Sequence, residues 1–193
     1  YFKDMKRIPL IWILLILFAF IGSIAQTNRG NKNYQQQADE ANRLYNLDEP
    51  TEQTDSTALL LFTMVASAAS TAGDDITAAD CYIKAGNIHQ TYQRFEQSNS
   101  DYHRALRINQ RTKNDLRVKY EACLYMGSSF YFSNIIDSAR YYFELASGIA
   151  STYKSGKLPE EERLYNSLGA IYFESANYQQ AKNYFEKACI GSR

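Results

Sequence analysis

"LYNSLGAIYFESANYQQAKNYFEKA", residues 164–188, decides the fold. Leu164, Leu168, Ile171, Tyr172 and Ser175 recur at helical steps, and Tyr178, Ala181, Phe185 and Ala188 do the same. Such recurrence marks one apolar stripe per helix. It predicts two amphipathic helices, 159–175 and 178–190, broken near Ala176 and Asn177. Pro159 suits a first helical turn, Glu160, Glu161 and Glu162 favour the positive N-terminal end, and Asn177 is a turn former.

The same spacing recurs upstream. Gly169 is followed by Ala181, Phe185 and Ala188; Gly127 by Ala139, Phe143 and Ala146; Gly86 by Ser98, Tyr102 and Ala105. The glycines stand 41 and 42 residues apart. A fainter copy begins with a helix over about 33–47, and "DSTALLLFTM" at 55–64 lies two periods before "DSARYYFELA" at 137–146. Internal repetition on this scale means stacked units that bury their stripes only against neighbours. The small residues let paired helices approach, and the aromatic fills the groove beside them. If Phe185 is buried, Phe185→Ala costs about 3–5 kcal/mol. Gly169→Leu overpacks the crossing by roughly 1–3 kcal/mol or more.

These residues resemble the tetratricopeptide repeat (TPR) family. The last copy carries Tyr165, Leu168, Gly169, Tyr172, Ala181, Phe185 and Ala188 at the expected offsets. The copy before it has Met126, Gly127, Phe130, Ala139, Phe143 and Ala146, with Cys123 where an aromatic is usual. The earlier one keeps Tyr82, Gly86, Tyr102 and Ala105 but has His89 and Ser98 at less typical places. The family's late Pro is missing, and the period exceeds the common one, with "TYKSGKLPEE" (152–161) as one extension. The resemblance covers about 33–193 and implies an all-α, right-handed solenoid of antiparallel helix pairs. Its units are a degenerate repeat at 33–74, then 79–112, 120–153 and 162–193.

The resemblance also implies a concave face that binds a peptide or protein segment. The corresponding places hold Asp80, Ile83, Asn87, Gln90 and Thr91; then Glu121, Leu124, Ser128, Tyr131 and Phe132; then Arg163, Asn166, Ala170, Phe173 and Glu174. The family's carboxylate clamp needs paired Lys/Arg and Asn across repeats. Only Asn87 and Arg163 remotely fit, and Ile83 replaces the needed Lys, so that specialisation is not expected.

No chemistry-bearing motif stands out, so the segment is expected not to be an enzyme and to hold no cofactor or metal. Gly86, Gly127 and Gly169 fall inside predicted helices and cradle no phosphate, and there is no zinc, serine-hydrolase or Cys/His spacing. His89 reads as a packed residue and His103 as solvent-facing. Formal net charge is zero, and the basic stretch 103–119 reads as a solvated helix end and loop, so no nucleic acid is expected. Cys81, Cys123 and Cys189 make no disulfide framework and are expected to be small buried residues. Tyr141, Tyr142, Tyr153, Tyr178 and Tyr184 are expected to pack between repeats with their hydroxyls toward water.

Upstream, Lys6 and Arg7 precede an apolar run from Ile8 to Ile21 and a small-residue end, Ser23, Ile24 and Ala25. This pattern predicts a signal peptide over 1–25, translation from Met5, cleavage after Ala25 and a short linker over 26–32, with a periplasmic or extracellular mature chain. An uncleaved membrane anchor is the alternative. Helix B of the last repeat runs almost to Arg193. A fragment of a longer protein is therefore expected; the alternative is an exposed end that pairs with a partner or second copy. In style the chain looks like exported arrays of Bacteroidetes-type bacteria. There such arrays often precede a caspase-like (CHAT) peptidase or a receptor output, which would make this segment a recognition or sensor arm.

Overall fold

The structure, a computed structural model, describes residues 34–111 and 115–191; the predicted leader and linker lie outside them. The described residues form eight helices and no strand. α1 spans 34–45, α2 Glu52–Ala72, α3 Asp75–Thr91 and α4 Phe95–Arg111. α5 spans Leu116–Phe132, α6 Ile136–Thr152, α7 Glu161–Glu174 and α8 Tyr178–Gly191. The architecture is an all-α solenoid of TPR-like helix pairs.

Local signals set the boundaries. Thr51 caps α2 reciprocally with Thr54, and Gly73, at φ 79°, ends it in the left-handed conformation. Asp74 caps α3 through the Thr77 amide, and Asp115 caps α5 through the amides of Arg117 and Val118. α7 starts later than the sequence suggests. Pro159 stays outside the helix, and Glu160 precedes it at φ 55°. Leu158, 1 % exposed, is drawn into the core and anchors the long α6–α7 connection there.

One turn device repeats. Gln93, Asn134 and Ala176 have φ of 57°, 59° and 59°, each seven residues past its glycine. The amides that follow close the same ring: Arg94 N–H donates to His89 O, Ile135 to Phe130 O and Asn177 to Tyr172 O. α3, α5 and α7 thus each end in one left-handed residue and turn back sharply.

The repeated glycine has a steric cause. A Cβ at Gly86 would fall 2.5 Å from Tyr102 Cε1, at Gly127 2.6 Å from Phe143 Cδ1, and at Gly169 2.5 Å from Phe185 Cε1. The aromatic ring lies on the glycine backbone itself rather than in a groove beside it. Ser98, Ala139 and Ala181 lie buried four residues before these rings.

Three apolar clusters join the layers: one across α1, α2 and α3, one among α3, α4 and α5, and one across α5, α6 and α7. Tyr102 and Phe143 are fully covered, but Phe185 is 37 % exposed, so the cost expected of a buried ring does not apply there. The next inner helix, α5 or α7, packs on α4 and α6 respectively. Among the described residues nothing packs so on α8. Cys81 and Cys123 are buried as expected, but Cys189 is exposed. Tyr142, Tyr153 and Tyr184 pack partly inside, whereas Tyr141 and Tyr178 lie mostly in solvent.

Candidate functional site

α1, α3, α5 and α7 form the inner layer, tied by side chains about one period apart. Lys84 donates to Asn42 Oδ1 at 2.6 Å and Asn87 Nδ2 to Tyr45 Oη at 3.1 Å. Further along, Arg163 donates to Ser128 Oγ at 3.0 Å and Tyr131 to Glu174 Oε1 at 3.2 Å. Helix period brings these residues to one face, and repeat period aligns them between helices.

A recess of about 310 Å³ opens on this face, lined by Tyr45, Asn87, Gln90, Thr91, Tyr125, Phe132, Glu160 and Arg163. Its lining comes from all four inner helices and the loop before α7. Five lining residues are among those implied by the resemblance: Asn87, Gln90, Thr91, Phe132 and Arg163. A neighbouring recess of about 540 Å³ contains Tyr131, Arg163, Asn166 and Ala170.

The floor is pre-organised. Tyr102 Oη lies 2.7 Å from Asn87 Oδ1 and 2.9 Å from Gln90 Oε1, its proton serving one acceptor at a time. Asn87 is thereby fixed from below by Tyr102 and from the side by Tyr45. Thr91 and Phe132 are exposed, Phe132 by 66 %. At the opposite wall Tyr125 donates to Glu160 Oε1 at 2.8 Å, and Glu160 Oε2 meets Arg163 Nη1 at 2.5 Å. The Arg163 guanidinium also sits 5.2 Å from the Tyr125 ring centre. Burial, then the Glu160 carboxylate, push the Tyr125 phenol upward, so it stays protonated as a donor.

At this wall the basic groups of the face already have acidic partners. Arg163 is already neutralised by Glu160 and held by Ser128. Lys84 is similarly occupied by Asp80, at 2.7 Å, and Asn42. An anionic ligand would have to displace carboxylates already in place.

Several expected face residues turn out to be internal. Ile83 and Leu124 are core residues. Glu121 is 8 % exposed and receives Arg117 Nη1 at 2.6 Å; Ser128 is 5 % exposed and donates to Leu124 O. Neither is open to a ligand. Phe173 lines the far face of α8 instead, and Glu174 is engaged by Tyr131. Asp80 sits half-buried between Lys84 and Arg117.

Tyr45, Tyr125 and Glu160 were missed. Tyr45 stands 42 residues before Asn87, so carrying the register into the degenerate first repeat finds it. Glu160 reaches the recess through its left-handed backbone conformation, which nothing in its residue type announces.

The packed reading of His89 fits its surroundings. It is half-buried, its Nε2 is 3.6 Å from Asp101 Oδ2, and burial lowers its pKa. His103 is exposed at the edge of Tyr142. Among the described residues no group of three or more His, Cys, Asp or Glu could hold a metal, and no helix is long and apolar enough to cross a membrane.

No family model matches the sequence, and no curated protein matches it. Solved structures do match, and they place the chain among TPR-like helical-repeat folds. BtubC (BKLC) from P. vanneervenii superposes with a TM-score of 0.62 at 15 % identity, covering 95 % of this chain and 80 % of that one. The apo form of RapI gives 0.57 at 16 % identity over 72 % of this chain and 47 % of that one. At such identities the likeness is one of fold.

Proposed function

We propose that the chain is an exported scaffold that holds a protein or extended peptide segment on its inner face and performs no catalysis there. The observation that carries this reading is the recess over α1, α3, α5 and α7. Its polar groups are fixed before any ligand arrives, and Phe132 stands beside them in solvent. Pre-organisation lowers the ordering cost of binding, and an exposed aromatic beside fixed amides suits a peptide with one apolar anchor. Tyr45, Asn87 and Tyr125 would orient the main chain, and Phe132 would take the anchor. The basic and apolar composition of residues 1–25 supports export.

The test is selection from a random peptide library, followed by titration of the selected peptides. Loss of about tenfold or more in affinity is expected for Phe132→Ala and for Tyr125→Phe. Leu60→Ala, at an exposed site on α2, should leave binding unchanged. Equal binding to all variants would refute the site. Intact mass of the mature protein tests the leader: a chain starting at Gln26 is expected, and retention of residues 1–25 would overturn cleavage.

A further inference from the structure

Gln90 lines the inner recess with a carboxamide that the fold only half uses. It is half-buried on α3, three residues past Asn87 and on the same face of the helix. Its Oε1 lies 2.9 Å from Tyr102 Oη, but the single Tyr102 proton is contested by Asn87 Oδ1 at the shorter distance of 2.7 Å. Asn87 also gives its own amide to Tyr45. Among the described residues nothing accepts from Gln90 Nε2. Gln90 therefore offers one donor and one acceptor, side by side, to whatever enters, and a ligand that meets only one of them leaves the other unpaired.

The recess selects against charge of either sign. A carboxylate would accept from Nε2 but set its second oxygen against Oε1, with Glu160 lining the same recess. An ammonium or guanidinium would leave Nε2 unmet and would meet Arg163, which already holds Glu160 and covers the Tyr125 ring. A single hydroxyl oxygen meets both Gln90 groups only through bent, weakened bonds. A primary carboxamide carries the same two groups at the same spacing and meets both in a straight pair of N–H···O bonds. Position favours a side chain as its source. Tyr45, Asn87 and Tyr125 belong to α1, α3 and α5, so a main chain that they hold runs across the helices. Gln90 stands about 4.5 Å further along α3, off that line and within reach of a side chain.

We propose, resting on the bound segment of the preceding section, that the recess selects a segment bearing a side-chain carboxamide, glutamine or asparagine, and that Gln90 is the residue that reads it. The ligand C=O accepts from Gln90 Nε2, and the ligand N–H donates to Gln90 Oε1. The Tyr102 proton then stays on Asn87, so one arriving group completes the hydrogen bonds of the floor. With Phe132 beside the recess, the recognised pattern is one apolar residue and one carboxamide residue at a fixed spacing.

Random-peptide selection on the full chain tests this, followed by titration of synthetic versions of the selected peptides. Among peptides whose binding falls with Phe132→Ala, Gln or Asn is expected at one fixed spacing from the apolar residue. Versions with Glu, Lys or Leu at that place should bind the unaltered chain roughly tenfold or more weakly. Gln90→Leu should remove the preference, so that the Gln and Leu versions bind alike. Gln90→Glu, which keeps the side-chain shape, should weaken the carboxamide peptides by roughly tenfold. It decides the outcome if Gln90→Leu loses helix content by circular dichroism. Peptides that need Phe132 but carry every residue type at their other places overturn the carboxamide proposal and leave the scaffold standing. A carboxamide preference that persists in Gln90→Glu overturns the role of Gln90. Peptides indifferent to Phe132→Ala overturn both the scaffold site and the proposal built on it.

Discussion

Replacing Gly127 with alanine sets two known effects against each other at one atom. Alanine favours the helix by about 1 kcal/mol over glycine. The added Cβ, however, would lie 2.6 Å from Phe143 Cδ1, 2.8 Å from Cε1 and 2.9 Å from Cγ. Phe143 is 1 % exposed between α5, α6 and α7 and has nowhere to go. Overpacking a closed site costs about 1–3 kcal/mol, and a clash along one whole edge of a ring belongs at the upper end. The net expectation is a loss of about 1–2 kcal/mol, a fall in melting temperature of roughly 2–8 °C. Gly169→Ala is the internal control. Its clash is as severe, 2.5 Å to Phe185 Cε1, but that ring is 37 % exposed and can swing outward. There the helix gain should offset the strain, leaving stability within about 0.5 kcal/mol of the parent. Both variants are to be compared by thermal and urea unfolding. If Gly127→Ala is as stable as the parent, or if both variants lose the same amount, the ring-on-glycine account of the repeat is wrong.

Other outcomes follow from single contacts. Ala176→Gly should stabilise by about 0.4–1 kcal/mol in thermal melts, because its φ of 59° strains any residue with a Cβ. Tyr120→Phe should cost about 1 kcal/mol in urea unfolding, since the buried Tyr120 hydroxyl donates to Pro159 O at 2.9 Å. Burial raises the Asp101 carboxyl to about 6, against a lowering influence from Arg104. The folded state therefore holds this proton more tightly than the unfolded one. Asp101 should make stability fall as pH rises from about 4 to about 6, by on the order of 2 kcal/mol. Asp101→Asn should flatten that part of a pH series of urea midpoints, and an unchanged slope would count against the assignment.

The repeat was legible because its signal is steric and local. A glycine that must admit a ring, and the aromatic sixteen residues later, are residue types that no neighbour can substitute for. The inner face was only partly legible. The family resemblance pointed to Asn87, Gln90, Thr91, Phe132 and Arg163, but it could not say that Glu121 and Ser128 are shut in by neighbours. Exposure belongs to the pair of helices rather than to the residue. Phe185 makes the same point: its place is that of Tyr102 and Phe143, yet its surroundings differ. Glu160 was hidden for another reason, since backbone handedness at a non-glycine residue leaves no mark on the sequence. Pro159 suggested an earlier start to α7, but its carbonyl is held by Tyr120 and the helix begins beyond Glu160.

The polar rungs between inner helices also bear on how the arc responds to force. Asn42 with Lys84, Tyr45 with Asn87, and Tyr131 with Glu174 link corresponding turns at 2.6 Å to 3.2 Å. Hydrogen bonds are directional and lose their strength within a fraction of an ångström, whereas apolar packing yields more gradually. Straightening the arc separates these rungs first, so curvature should hold under gentle pulling and give way in steps, one rung at a time. A molecule lodged against Asn87 would stiffen the step beneath it, and the array would then register a bound guest as a change in its resistance to being unwound.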